Sequence, residues 1–170
     1  ALPVVVVAGG IAVVQLGLNS PAGEVAASSA INGLDGRLEL WSRALYAISD
    51  FPFTGIGIGT FERVIPVLYP LFTIGPDTVI AHAHNLLLQV GVDLGLPGLI
   101  AYLAIFINVF TGLVLRLRQR DGALNWALAA GVLGGLSAMF TPGIFDVPVW
   151  GARPAVLPWL LIALAVQVSG

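Results

Sequence analysis

Residues 96–115 form a run of twenty residues without a charged side chain, and no other feature constrains the fold so strongly. A helix needs roughly 17–25 apolar residues to cross about 30 Å of hydrocarbon. Similar apolar runs occupy 2–18, 123–140 and 154–168; the first and last are short and need interfacial help or tilted neighbours. Composition agrees with a membrane setting, at 58% hydrophobic and 9% charged residues, with a mean hydropathy of +0.97. Soluble domains carry about 25% charged residues, so these charges are too few to coat a globule in water. The expected fold class is therefore all-α: a polytopic helical membrane protein with about four transmembrane helices. A long loop carrying amphipathic helices of its own should join the first two. The chain opens at Ala1 directly into an apolar run, and we read residues 1–170 as one membrane domain cut from a longer polytopic protein.

Arg116, Arg118 and Arg120 cluster in the link 116–122 between the second and third spans. Short cytoplasmic loops are enriched in Lys and Arg, which puts this link inside the cell. The loops 19–95 and 141–153 then lie on the outer face, with Arg153 as the one charge that opposes the assignment. The chain has no cysteine, which excludes disulfides, thiolate metal sites and a thiol nucleophile. A net charge of −2, with only seven cations, all arginines, leaves no footprint for nucleic acid.

Loops longer than about 12–15 residues without structure are uncommon, so 19–95 should hold helices. The segment 36–50 has a helical period, with Leu38, Leu40, Trp41, Ala44, Leu45, Ala47 and Ile48 on one face. Asp35 is a plausible N-cap, and Pro52 follows the end. Such a helix can lie on a membrane surface. Arg43 stands on its polar face, four residues after Glu39, as expected of a solvated helix ion pair. Arg37 falls instead in line with Trp41, Ala44 and Ile48, at the helix start, where the macrodipole disfavours a cation. It either snorkels to a lipid headgroup or binds a functional anion, and phosphate suits its planar fork.

The run Thr54-Gly55-Ile56-Gly57-Ile58-Gly59-Thr60 lacks the Lys of a P-loop and the preceding strand of a dinucleotide site. Nucleotide binding is rejected, and a tight turn is expected, with Thr60 capping a helix at 61–69. Arg63 and Tyr69 on that helix are either substrate contacts or plain surface residues. Further on, His82 and His84 are the chain's two histidines. A zinc site would need carboxylates from elsewhere, so we expect no metal here. A neutral imidazole is a natural general base near neutral pH. A helix from His84 would carry a polar strip, Asn85, Gln89 and Asp93, until Gly95-Leu96-Pro97-Gly98 interrupts it. From His84 to Leu115 such a helix would outrun the hydrocarbon, which sets His84 at or above the outer interface.

At this point the residues resemble a known family. Gly36-Arg37-Leu38-Glu39-Leu40-Trp41, the segment from Asp50 to Phe61, and His84-Asn85 followed by nine residues and Gly95-Leu96-Pro97-Gly98 look like the O-antigen ligase and Wzy-type polymerase superfamily. The resemblance covers about residues 36–115. It implies a multi-span glycosyltransferase of the bacterial inner membrane that uses no cofactor, no metal and no nucleotide sugar. The implied donor is a glycan on undecaprenyl pyrophosphate, and the implied acceptor is a glycan, lipid A-core or protein hydroxyl. His84 would be the catalytic base and Arg37 would hold the pyrophosphate, with Arg63, Asn85 and Trp41 as substrate contacts. The competing class is a membrane transporter or export component, for which paired broken helices in repeated halves would be the signature. Asp77, Asp146 and Arg153 take no assigned role; Asp146 and Arg153 share an outer loop and either close over a site or form a structural ion pair.

Overall fold

The computed structural model describes residues 33–75, 78–119, 122–151 and 155–169. The expected span 2–18 lies outside them, as do Asp77, Arg120 and Arg153. Among the described residues the fold is all-helical: α1 (Leu34–Asp50), α2 (Phe61–Leu68), α3 (Leu86–Gln119), α4 (Ala123–Phe140), a 3-10 turn (Pro142–Ile144) and α5 (Val156–Ser169). Two helices, α3 and α4, are long and apolar enough to cross a membrane, and α5 is a shorter apolar helix. The chain is thus a helical membrane protein, with α3, α4 and α5 packed on one another and α1 packed on α3.

Two apolar cores meet along α3. One joins α3 to α4, α5 and the loop after α4, around Tyr102, Phe106, Leu113 and Leu136. The other lies between α1, α2 and the first turns of α3, around Leu40, Ala44, Phe61, Ile65 and Val92. The second core is what holds a seemingly polar loop against the membrane bundle.

Helix α3 is broken at Gly95, whose φ of 70° and ψ of −175° leave the helical region. The break follows from Pro97. In an unbroken helix the Asp93 carbonyl would accept from residue 97, but proline has no N–H to give. The glycine-rich run supplies the missing donors instead: Ile56 N donates to Val92 O at 2.8 Å and Gly57 N to Asp93 O at 3.1 Å. In return Leu96 N, freed from Val92, donates to Pro52 O at 2.7 Å. Residues 52–57 therefore cap the broken end of α3, which is why the run looks like a phosphate loop without being one. A Cβ on Gly95 would lie 2.7 Å from Pro52 O and 2.8 Å from Phe53 C, both backbone atoms. Gly95→Ala is expected to cost about 2 kcal/mol or more, from positive φ and backbone collision together. A drop in the melting temperature of the detergent-solubilised protein measures this.

Three local expectations need correction. Helix α1 starts after Gly33, so Asp35 lies inside its first turn, where its charge suits the macrodipole, and does not cap it. Thr60 sits at the N-cap position of α2, but its hydroxyl donates back to Ile56 O and Gly57 O, both at 2.8 Å. The buried face of α1 also runs through Leu40, Ala44 and Ala47 together with Glu39, while Leu38 and Leu45 are half exposed. The Glu39 carboxylate accepts the amides of Phe72 (2.6 Å), Thr73 (2.9 Å) and Ile74 (3.2 Å), and Arg43 pairs with it at 3.4 Å. Burial alone would raise its pKa; the three amides and Arg43 outweigh burial and hold it below the usual carboxylate value. Glu39 is a structural anchor for the 71–75 segment, and Arg43 completes it by donating to Pro70 O at 3.0 Å.

Candidate functional site

The site forms where three separate pieces of chain converge: the start of α1, the segment 81–85 before α3, and the loop 141–150 after α4. Asn85 organises the second piece. Its Oδ1 accepts from Leu88 N at 3.0 Å, the bond of an N-cap, and its Nδ2 donates to Ile144 O at 3.1 Å. The amide thus starts α3 and ties it to the loop 141–150. His84, just ahead of this cap, has a φ of 48°, a left-handed conformation that is uncommon for a residue with a side chain. Strain of this kind costs about 1–3 kcal/mol and concentrates at functional sites.

That conformation sets the His82 and His84 rings edge to face, with centroids 4.4 Å apart. Asp146, from the loop after α4, reaches both: its Oδ1 is 3.6 Å from His84 Nδ1 and 3.8 Å from His82 Nε2. These are ion-pair distances, longer than a hydrogen bond. Donor atoms of His82, His84 and Asp146 all lie within 4.8 Å of one another, a spacing that a metal ion could also bridge. Burial, the neighbouring His82 and the Arg37 charge push the His84 pKa below the ordinary imidazole value, against a smaller upward pull from Asp146. His82 is lowered too, by burial, again opposed by Asp146. Both rings are therefore neutral at neutral pH and can accept a proton.

Arg37 comes from the first turn of α1 and is half buried. Its guanidinium lies over the Phe145 ring, 5.4 Å from the centroid, which links it to the residue next to Asp146. Its Nε is buried without a hydrogen-bond partner among the described residues, and so is the indole Nε1 of Trp41. Residues 37 and 41 are one helical turn apart, so the two unsatisfied donors belong to neighbouring positions on one face of α1. A buried donor left unpaired costs about 1–3 kcal/mol. Arg63, by contrast, is exposed on α2, and its side chain makes no hydrogen bond or ion pair among the described residues.

Beside Asn85 an apolar groove of about 450 Å³ opens and runs along α3 to Phe110, lined by Leu87, Tyr102, Phe106, Phe140 and Ile144 among others. Asn85 and Ile144 line the groove; His84 precedes Asn85 in the chain, and Arg37 lies over Phe145, which follows Ile144. Sequence reasoning leaves Asp146 without a role and notes only that its loop could close over the site; the structure sets it against both histidines. Sequence reasoning missed Phe145, for which no signal existed.

A family model described as O-antigen ligase matches residues 1–103 of the chain. No curated protein matches it.

Proposed function

Because the chain belongs to the O-antigen ligase family, we propose that it transfers a glycan from undecaprenyl pyrophosphate to an acceptor hydroxyl, with His84 as base and Arg37 as pyrophosphate ligand. The observation that carries this reading is the Arg37 guanidinium near enough to a neutral His84 to depress its pKa, with Asp146 3.6 Å from the same ring. The planar fork of arginine suits phosphate oxygens.

The chemistry balances without a redox partner. His84 takes the proton of the acceptor hydroxyl, and its oxygen forms the new bond to the anomeric carbon. The bond from that carbon to the pyrophosphate breaks, and its electron pair leaves with the phosphate, where Arg37 stabilises the growing charge. Asp146, 3.6 Å from His84 Nδ1, stabilises the imidazolium once it forms and leaves Nε2 to meet the acceptor. The apolar groove beside Asn85 would seat the first isoprene units of the donor, so that the lipid enters from the bilayer side. No step in this reading requires a metal or a nucleotide.

The reading places the protein in the bacterial inner membrane, with the loops 19–95 and 141–153 on the periplasmic side and Arg116 and Arg118 on the cytoplasmic side. Complementation of strains lacking either the ligase or the polymerase of surface glycan assembly tests it. Restored glycan on lipid A-core identifies a ligase, and restored chain length identifies a polymerase. Restoration of neither, with no glycan on protein hydroxyls and the protein present in the membrane, contradicts the reading. In the same assay His82→Ala is expected to be mild, well under the about 100-fold loss that removal of a general base brings. Quantified surface glycan measures the difference.

A further inference from the structure

Building on the role proposed for His84, we infer that Asp93 is a positioning residue that fixes the distance between His84 and Asp146. Asp93 is 2% exposed on the first part of α3, and each of its oxygens holds a different piece of the site. Oδ1 accepts from Gln89 Nε2 at 2.9 Å, and Oδ2 accepts from Trp150 Nε1 at 2.7 Å.

The Gln89 bond has a consequence for the histidines. Gln89 is itself buried, and its Oε1 accepts the Ala83 amide at 2.8 Å. Ala83, fully buried, is the residue between His82 and His84. A primary amide has one accepting end and one donating end. With its NH₂ held by a carboxylate, Gln89 can turn only its oxygen to Ala83. Asp93 therefore sets the orientation of Gln89, and Gln89 sets the height of the histidine segment.

The Trp150 bond does the same for the opposite wall. Trp150 ends the loop that carries Asp146, and its ring also packs edge to face on Tyr102, with centroids 5.5 Å apart. One buried carboxylate thus ties both segments whose side chains meet at the site. His84 and Asp146 make no direct hydrogen bond, at 3.6 Å, so their spacing depends on what holds their backbones. Ile144 O, bonded to Asn85, is a second tie between the same two segments, and it acts at the other end of the loop.

Asp93→Asn removes one of the two acceptors, and the new NH₂ faces either the Gln89 NH₂ or the Trp150 N–H. Trp150→Phe removes one donor and keeps the ring against Tyr102. Turnover by the full-length protein in membrane vesicles, with a lipid-linked glycan as donor, reads both variants. Loss of a held geometry by about 1 Å can cost on the order of 100-fold in rate, so Asp93→Asn is expected to lose about 10- to 100-fold in kcat. Trp150→Phe should lose less, and the donor KM should change in neither. The pH profile supplies a readout that simple destabilisation would not move. The groups facing His84 are His82, Asp146 and Arg37, and withdrawal of Asp146 alone shifts the acid limb to lower pH. Because the two bonds act through one carboxylate, the double variant should be less harmful than the product of the singles.

Wild-type kcat and an unmoved acid limb in Trp150→Phe would overturn the inference, even if Asp93→Asn failed to accumulate. His84→Ala separates the two levels of the argument. An active His84→Ala removes the base role itself, whereas an inactive His84→Ala with fully active Asp93→Asn and Trp150→Phe removes only the anchor.

Discussion

Replacing His84 with alanine is expected to reduce glycan transfer by about 100-fold or more, the usual loss when a general base is removed. The expectation rests on proton affinity as well as position. Burial, His82 and Arg37 depress the His84 pKa, so the accepting form predominates at neutral pH. The sign follows directly. A base must be unprotonated to act, so transfer in the wild type should be flat around neutrality and fall only as the pH drops below the ordinary imidazole value of 6.5. Asp146→Asn removes the one upward influence and should move that limb lower still. Rates measured across a pH series in membrane vesicles check both points. In kcat/KM, which reports the donor-free protein, a limb at or above the ordinary value would mean that the titrating group is not a buried His84.

Arg37→Ala is expected to have an effect of similar size, because a lost electrostatic contact to developing charge costs about 100- to 1,000-fold. Its signature differs from that of His84. Arg37 should contribute to donor binding as well as to departure of the pyrophosphate, so the donor KM should rise while kcat falls. Loss of its cation also relieves part of the depression at His84, and the acid limb should move up in pH. Arg37→Lys keeps the charge but not the fork, and should recover only part of the activity. Equal kcat and KM in wild type and Arg37→Ala would remove the proposed role. Unchanged surface glycan in cells would do the same.

Local features of the fold were legible in the sequence because their causes are local. The apolar run 123–140 coincides with helix α4. The helix at 36–50 was recoverable from its period and came out two residues longer, as Leu34–Asp50. Gly95-Leu96-Pro97-Gly98 announced a break, and the break lies at Gly95. What sequence could not show is what covers each face. Leu38 and Leu45 belong to an apolar arc by spacing, yet they are half exposed, because the buried face of α1 runs through Leu40, Ala44 and Ala47. Glu39 looked like half of a solvated pair, but it is nearly buried by amides more than thirty residues away.

The same division holds in the site. His84 and Arg37 stood out early, one through its spacing to Gly95 and Gly98 and the other through its place on an apolar face. The polar strip of Asn85, Gln89 and Asp93 was visible as a pattern, but its partners were not. Asp93 bonds to Trp150, which is 57 residues away, and Asn85 to Ile144, 59 residues away. Contacts at that separation depend on how α3 and α4 pack, which no local period encodes. The carboxylate that faces the histidines, Asp146, belongs to the same class.

The central claim is that His84 takes the acceptor proton as the glycan leaves its pyrophosphate. A single-turnover reaction tests it most directly: full-length protein in proteoliposomes, a purified lipid-linked glycan as donor, and the acceptor added to start. Release of polyprenyl pyrophosphate is followed together with glycan on the acceptor. We expect wild type to yield the two products in equal amounts, and His84→Ala to bind the donor with wild-type affinity while releasing neither product. Release by His84→Ala at the wild-type rate would contradict the claim.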